Sequence, residues 1–116
     1  MQLKGMEFAF DFTDAEDLER YEKAYEKLQQ SISCTNKDIP SQAVRRQCAA
    51  TKAFFDTVLG EGAYEKLVDK PTSALANSDV LWDFMEAYQG EAETVEKQQR
   101  QRLDKFKKYT AGRRRT

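Results

Sequence analysis

The chain has 116 residues, enough for one modest hydrophobic core and too few for two independent ones. Hydrophobic residues make up 40% and charged residues 34%, and the apolar ones fall in periodic clusters, which favours amphipathic helices over outright disorder. No apolar stretch approaches the roughly 18 residues needed to cross a bilayer, and no basic region followed by an apolar run and cleavage site opens the chain, so an intracellular protein is expected.

At the start, Met6, Phe8, Phe10 and Phe12 alternate with Glu7, Ala9 and Asp11, the period-two pattern of a half-buried strand. Lys4 and Gly5 can close a tight hairpin with residues 1–4, because glycine accepts the positive φ of such turns. Thr13 then reads as the first member of a capping box with Glu16. Leu18, Tyr21, Tyr25, Leu28 and Ile32 follow at steps of three and four, predicting a surface helix over 14–33.

Residues 35–40 read as a loop, after which Ser41 is expected to cap a second helix bearing Val44, Cys48, Thr51, Phe55 and Val58, widened by Phe54 and Leu59. Gly60-Glu61-Gly62 should end it with a left-handed cap. A short helical turn through Tyr64, Leu67 and Val68 follows, stopped by Pro71. Asn77 or Ser78 is expected to cap the last helix, whose stripe of Leu81, Phe84, Met85, Tyr88, Ala92 and Val95 keeps helical spacing across Gly90, a candidate kink. Beyond Val95 only Leu103 and Phe106 continue the stripe among Gln, Lys and Arg, and the closing 111–116 is expected to be disordered when free. The fold expected is mainly α: a small helical domain with a short N-terminal β-hairpin or strand and a long C-terminal helix, divided into a body, 1–95, and a basic arm, 96–116.

Catalytic chemistry finds little support. The chain has no histidine, no Gly-x-Ser-x-Gly and no phosphate-binding loop, and a Cys-His pair cannot form. The carboxylate pairs Asp14 with Asp17, Glu19 with Glu22 and Asp79 with Asp83 suit solvated helix surfaces. Cys34 and Cys48 lack any metal-ligand spacing and read as reduced thiols, Cys48 packed on a helix face. No enzyme, metal or cofactor is expected.

The charge is the stronger signal. The formal net charge of −1 hides a division, because from residue 96 onward nine Lys and Arg face two acids, a balance of +7, whereas ten basic and eighteen acidic residues before it give −8. An acidic body with a basic tail suits head-to-tail association into a homo-oligomer or an acidic partner. The candidate partner-binding residues are Trp82, placed at one edge of the inward face, and the arm's Arg100, Arg102, Leu103, Lys105, Phe106, Lys107, Lys108, Arg113, Arg114 and Arg115. Clustered cations could also serve nucleic acid, against which stand the acidic body and the lack of a recognised reading module.

Three stretches carry a family resemblance: Glu7-Phe-Ala-Phe-Asp-Phe-Thr-Asp-Ala15, Tyr21-Glu-Lys-Ala-Tyr-Glu-Lys-Leu28 and Phe54-Phe-Asp-Thr-Val-Leu-Gly-Glu-Gly62. Over residues 6–90 the chain resembles small phage tail-module proteins of tail assembly chaperone type, from long-tailed phages. The resemblance implies a helical protein in the cytoplasm of the infected bacterial host that coats the tape measure protein until tail-tube subunits polymerise around it. The basic end departs from that pattern. Two other readings stay open: a small phage regulator or host-directed inhibitor binding nucleic acid or an acidic host protein, and a structural tail or head-completion component.

Overall fold

Two successive positive φ values, 52° at Lys4 and 75° at Gly5, give a hairpin turn of the type whose twist matches that of paired strands. Strand β1 (Gln2–Leu3) consequently runs antiparallel to β2 (Met6–Glu7), Leu3 facing Met6 and Gln2 facing Glu7. Pairing ends at Met1 and Phe8, which exchange backbone hydrogen bonds of 2.7 and 2.9 Å. The ladder is therefore shorter than the alternating sequence suggested, but the alternation itself governs burial: Phe8 and Phe10 are buried, Ala9 and Asp11 exposed. Phe10 and Phe12 are held by an aromatic neighbour instead of a strand, with ring centroids 6.2 and 5.0 Å from Tyr88.

The computed structural model describes residues 1–33 and 39–114, the last four by their backbone alone. Among the described residues four helices follow the hairpin: α1 (Ala15–Ser33), α2 (Pro40–Leu59), α3 (Ala63–Leu67) and α4 (Ala74–Arg114). The fold is mainly α, with the short antiparallel strand pair in front and a long last helix. Cys34, most of the expected 35–40 loop, and Arg115 lie outside the described residues.

Helix ends differ from the sequence reading because other groups reach the free backbone first. Thr13 spends its hydroxyl on the Asp11 carboxylate at 2.6 Å, which also accepts the Thr13 N–H at 2.8 Å. The turn before α1 is thus built by Asp11 in place of a Thr13–Glu16 box. Helix α2 begins one residue before Ser41, with Pro40 as its first residue, a position where the missing N–H costs nothing. Gly60 ends α2 at φ 105° and ψ 155°, outside the left-handed region expected of it, and Gly62 instead supplies that conformation at φ 87° and ψ −5°. Asp56, one turn back on α2, accepts the Tyr64 N–H at 3.1 Å and so ties α3 to it. Ser73 caps α4, its hydroxyl accepting from Ala76 at 3.2 Å. Helix α4 runs unbroken through Gly90 and on to Arg114, into the closing stretch expected to be disordered.

Asn77 is therefore interior, not a cap. Wholly buried, it donates to the Ser73 carbonyl at 2.7 Å and accepts from the Tyr64 hydroxyl at 2.8 Å. Its amide also lies 3.3 Å from the Cys48 sulfur and from the Pro71 carbonyl. One side chain thereby joins α2, α3, α4 and the turn at Pro71, with both the oxygen and the nitrogen of its buried amide partnered.

The core forms where α1, α2 and α4 present rings to one another. Phe84 of α4 packs edge-on against Phe54 and Phe55 of α2 at 5.2 and 5.6 Å, and Tyr21 of α1 stacks on Tyr88 of α4 at 4.2 Å. Leu28, Cys48, Phe55, Val58 and Phe84 are buried as expected, while Leu18, Tyr21, Tyr25, Leu81, Met85 and Tyr88 pack partly buried around them. Val44 is half-buried and lines a shallow depression with Pro40 and Thr72, apart from the core, and Ile32 remains 40% exposed at the far end of α1. The hairpin closes the core from outside. Lys4 donates to the Leu67 carbonyl at 3.0 Å, and the Gln2 N–H to Glu91 at 3.2 Å.

Phe55 is fully buried, so Phe55→Ala should lower stability by about 3 to 5 kcal/mol in denaturant unfolding; a loss under about 1 kcal/mol would show that this ring is not a core anchor. The tyrosines carry a pH signature. Burial, with Tyr88 and Tyr25 alongside, pushes the Tyr21 phenol up to about 12, and burial also raises Tyr64 and Tyr88. The fold thus favours neutral phenols. Stability should be intact below the ordinary phenol value of 10.0 and fall as pH rises towards 12, with tyrosinate absorbance appearing together with loss of helical circular dichroism.

Candidate partner-binding surface

Helix α4 outruns the body it packs on. Its 41 residues span about 60 Å at 1.5 Å per residue, within a molecule 73 Å long and 29 by 20 Å across. Core contacts hold it from Asn77 and Val80 through Phe84 to Tyr88, and Ala92 and Val95 are the last half-buried positions of the stripe. From 96 to 109 every side chain is exposed. The expected arm is thus a continuation of the core helix, projecting about 28 Å from residue 96 to residue 114.

The arm keeps its helical shape without burying apolar area. Glu96 and Arg100, one turn apart, form an ion pair at 2.6 Å, and Thr110 returns its hydroxyl to the Phe106 carbonyl at 2.9 Å. A single exposed pair of this kind is worth only a few tenths of a kcal/mol. Leu103, Phe106 and Tyr109 stand 52%, 66% and 62% exposed, surrounded by Arg100, Arg102, Lys105, Lys107 and Lys108, all exposed. Arg113 and Arg114 close the helix. The predicted arm residues from Arg100 to Lys108 therefore share one solvent-facing segment.

Trp82 lies elsewhere. It is 67% exposed and sits on the side of α4 turned away from Phe84, with Leu75, 72% exposed, two turns before it. Asp79 and Glu86 flank this pair on the same side, one turn after Leu75 and one turn after Trp82, and Asp83 is exposed beside it. The tryptophan was placed by the sequence at the edge of the inward face; the buried face is instead centred on Asn77, Val80 and Phe84, which rotates Trp82 fully outward. Leu75 precedes the helix start that Asn77 or Ser78 predicts, so the sequence reading leaves it outside α4. Recognising Ser73 as the cap would have shown the seven-residue spacing of Leu75 and Trp82.

A third surface lies between α1 and α2, a cavity of about 300 Å³ floored by Ala24, Leu28, Ala53 and Phe54 and bordered by Lys23 and Lys27. Small side chains on both helices leave this space. Arg20, also lining it, is occupied by Asp17 at 3.0 Å and the Val58 carbonyl at 3.4 Å. Cys48 is buried away from this cavity, and burial pushes its thiol up, so the reactive thiolate is disfavoured. Among the described residues no group of three or more His, Cys, Asp or Glu is placed to hold a metal, and no helix is long and apolar enough to cross a membrane.

Residues 4–116, nearly the whole chain, match the profile of a family of unknown function, DUF6673. No curated protein and no solved structure matches the chain.

Since the arm's apolar side chains contribute no burial to the fold, Leu103→Ala and Phe106→Ala should each change unfolding free energy by less than about 0.5 kcal/mol. A larger loss in denaturant titration would place those side chains in the core.

Proposed function

We propose that this chain, which belongs to the DUF6673 family, is a non-enzymatic protein-binding factor that uses its projecting basic, amphipathic arm to hold a helical client. The observation carrying this reading is the arm itself: a helix that exposes Leu103 at 52% and Phe106 at 66% among clustered cations. Exposed apolar anchors at helical spacing suit docking into, or alongside, an amphipathic partner, and surrounding cations favour an acidic one.

On the resemblance to tail assembly chaperones, the client proposed is the phage tape measure protein, met in the cytoplasm of an infected bacterium. A long, aggregation-prone helical client needs many weak, reversible contacts, for which a small binder with an outlying arm is suited. Nucleic acid is the second reading, favoured by the +7 balance of residues 96–116. It is opposed by the body, where the 74–95 segment of the same helix carries five acids and no base.

Deleting residues 96–116 should leave the helical signal per residue and the thermal midpoint of the body close to those of the full chain, while weakening binding to a tape measure segment at least about tenfold in calorimetry, with added salt weakening the intact complex. Equal affinity of the truncated and full chains would remove the arm from the function. Tight binding of the full chain to random duplex DNA, with a steep salt slope, would transfer the reading to nucleic acid.

A further inference from the structure

We infer that α4 pairs with α4 of a second copy of this chain, antiparallel, each arm lying along the exposed Leu75 and Trp82 ridge of the other copy. Two independent features of the helix support this, one apolar and one electrostatic.

The first is spacing. Leu75, Trp82 and Leu103 differ by seven and twenty-one residues, whole multiples of the heptad along which two supercoiled helices keep contact. All three are more than half exposed, and Phe106, three residues beyond Leu103, adjoins the same line at 66% exposure. The line faces away from Asn77, Val80 and Phe84, so the body leaves it open along the N-terminal half of α4, and the arm is exposed from 96 to 109.

The second is charge. From 74 to 95 the helix carries Asp79, Asp83, Glu86, Glu91 and Glu93 without a base; from 96 to 114 it carries eight Lys and Arg against Glu96 and Asp104. Complementing the helix dipole needs charge only in the first and last turns, whereas this division runs through the whole helix. On the row beside the apolar line, at seven-residue steps, stand Asp79, Glu86, Glu93, Arg100 and Lys107. Parallel pairing would set acid against acid and base against base. Antiparallel pairing sets Asp79 and Glu86 against cations and leaves Glu93 beside its own symmetry mate near the axis.

In the register that sets Trp82 against the partner's Phe106, Leu103 falls opposite the partner's Met85, Asp79 near the partner's Lys107 and Glu86 near the partner's Arg100. The two-fold axis passes close to Thr94, and each contact occurs twice, as an isologous interface requires. Arg100, held by Glu96 within its own helix at 2.6 Å, would be shared with the incoming Glu86. The bodies lie at opposite ends, and Met85, half-buried against Tyr21, is where each body adjoins the contact. The arm that serves the proposed client is thereby covered in the absence of one, though the pairing does not depend on what the client is.

Sedimentation equilibrium on the full-length chain, without client, tests the inference. The expected result is a dimer at tens of micromolar that weakens as salt is raised. Trp82→Ala, at an exposed site, should weaken dimerisation about tenfold or more with unchanged circular dichroism. Asp79→Lys alone and Lys107→Asp alone should each weaken the dimer, and the double variant, which exchanges the two charges, should restore it. A monomer at all concentrations, or a dimer indifferent to Trp82→Ala and to both single reversals, would overturn the pairing. So would double reversal that fails to restore it. Client binding measured separately on the same variants keeps the two readings apart, because a monomer that still binds the tape measure segment removes only the pairing.

Discussion

Phe84 sits fully buried against Phe54 and Phe55, and this three-ring contact fixes where α4 crosses the α1 and α2 pair. Aromatic side chains of this size dominate a small core, and edge-on packing resists rotation of the helix that carries them. Once Phe84 points inward, helical geometry places Asn77 and Val80 on the same side and turns Leu75 and Trp82 to solvent. The contact also sets the height of α4 on the body, so that the helix passes the last supporting residue near Val95 and continues into water. Both external features, the ridge and the arm, follow from one packing decision.

The polar half of the same interface is Asn77. Its amide reaches Tyr64, Ser73, Pro71 and Cys48, bonds that an apolar residue at this position could not supply. A buried amide satisfied from several elements specifies one arrangement, because any shift of α4 would break several hydrogen bonds at once. The short helix α3, whose Leu67 is fully buried, is held in place by this network and by Asp56. Much of the body is therefore devoted to holding a single long helix in one pose. For a protein proposed to act through the free end of that helix, such rigidity preserves the direction in which the arm projects.

The division of charge gives the molecule its other organising property. An acidic body and a basic arm on one continuous helix would make the proposed pairing of copies and the proposed binding of an acidic client two uses of the same field. Contacts of that kind are steered, reversible and sensitive to salt.

Sequence alone determined the element order, because hydrophobic periodicity is a local property. The steps of Leu18, Tyr21, Tyr25 and Leu28 placed α1 to within a residue, Lys4-Gly5 located the hairpin turn, and the run of cations after Val95 marked the arm. What it misjudged were the places where several segments compete for one group. Asn77 has the chemistry of a cap, but Ser73 stands four residues earlier and takes that role, releasing Asn77 to the core. Thr13 has a partner at Glu16 in sequence and a nearer one at Asp11 in space. The facing of Trp82 could not be read from Leu81, Phe84, Met85 and Tyr88, since that stripe is wide enough to allow rotation about the helix axis. Only contact with Phe54, Phe55 and Tyr64 fixed the angle, because the orientation of a helix is set by what it packs against and not by its own residues.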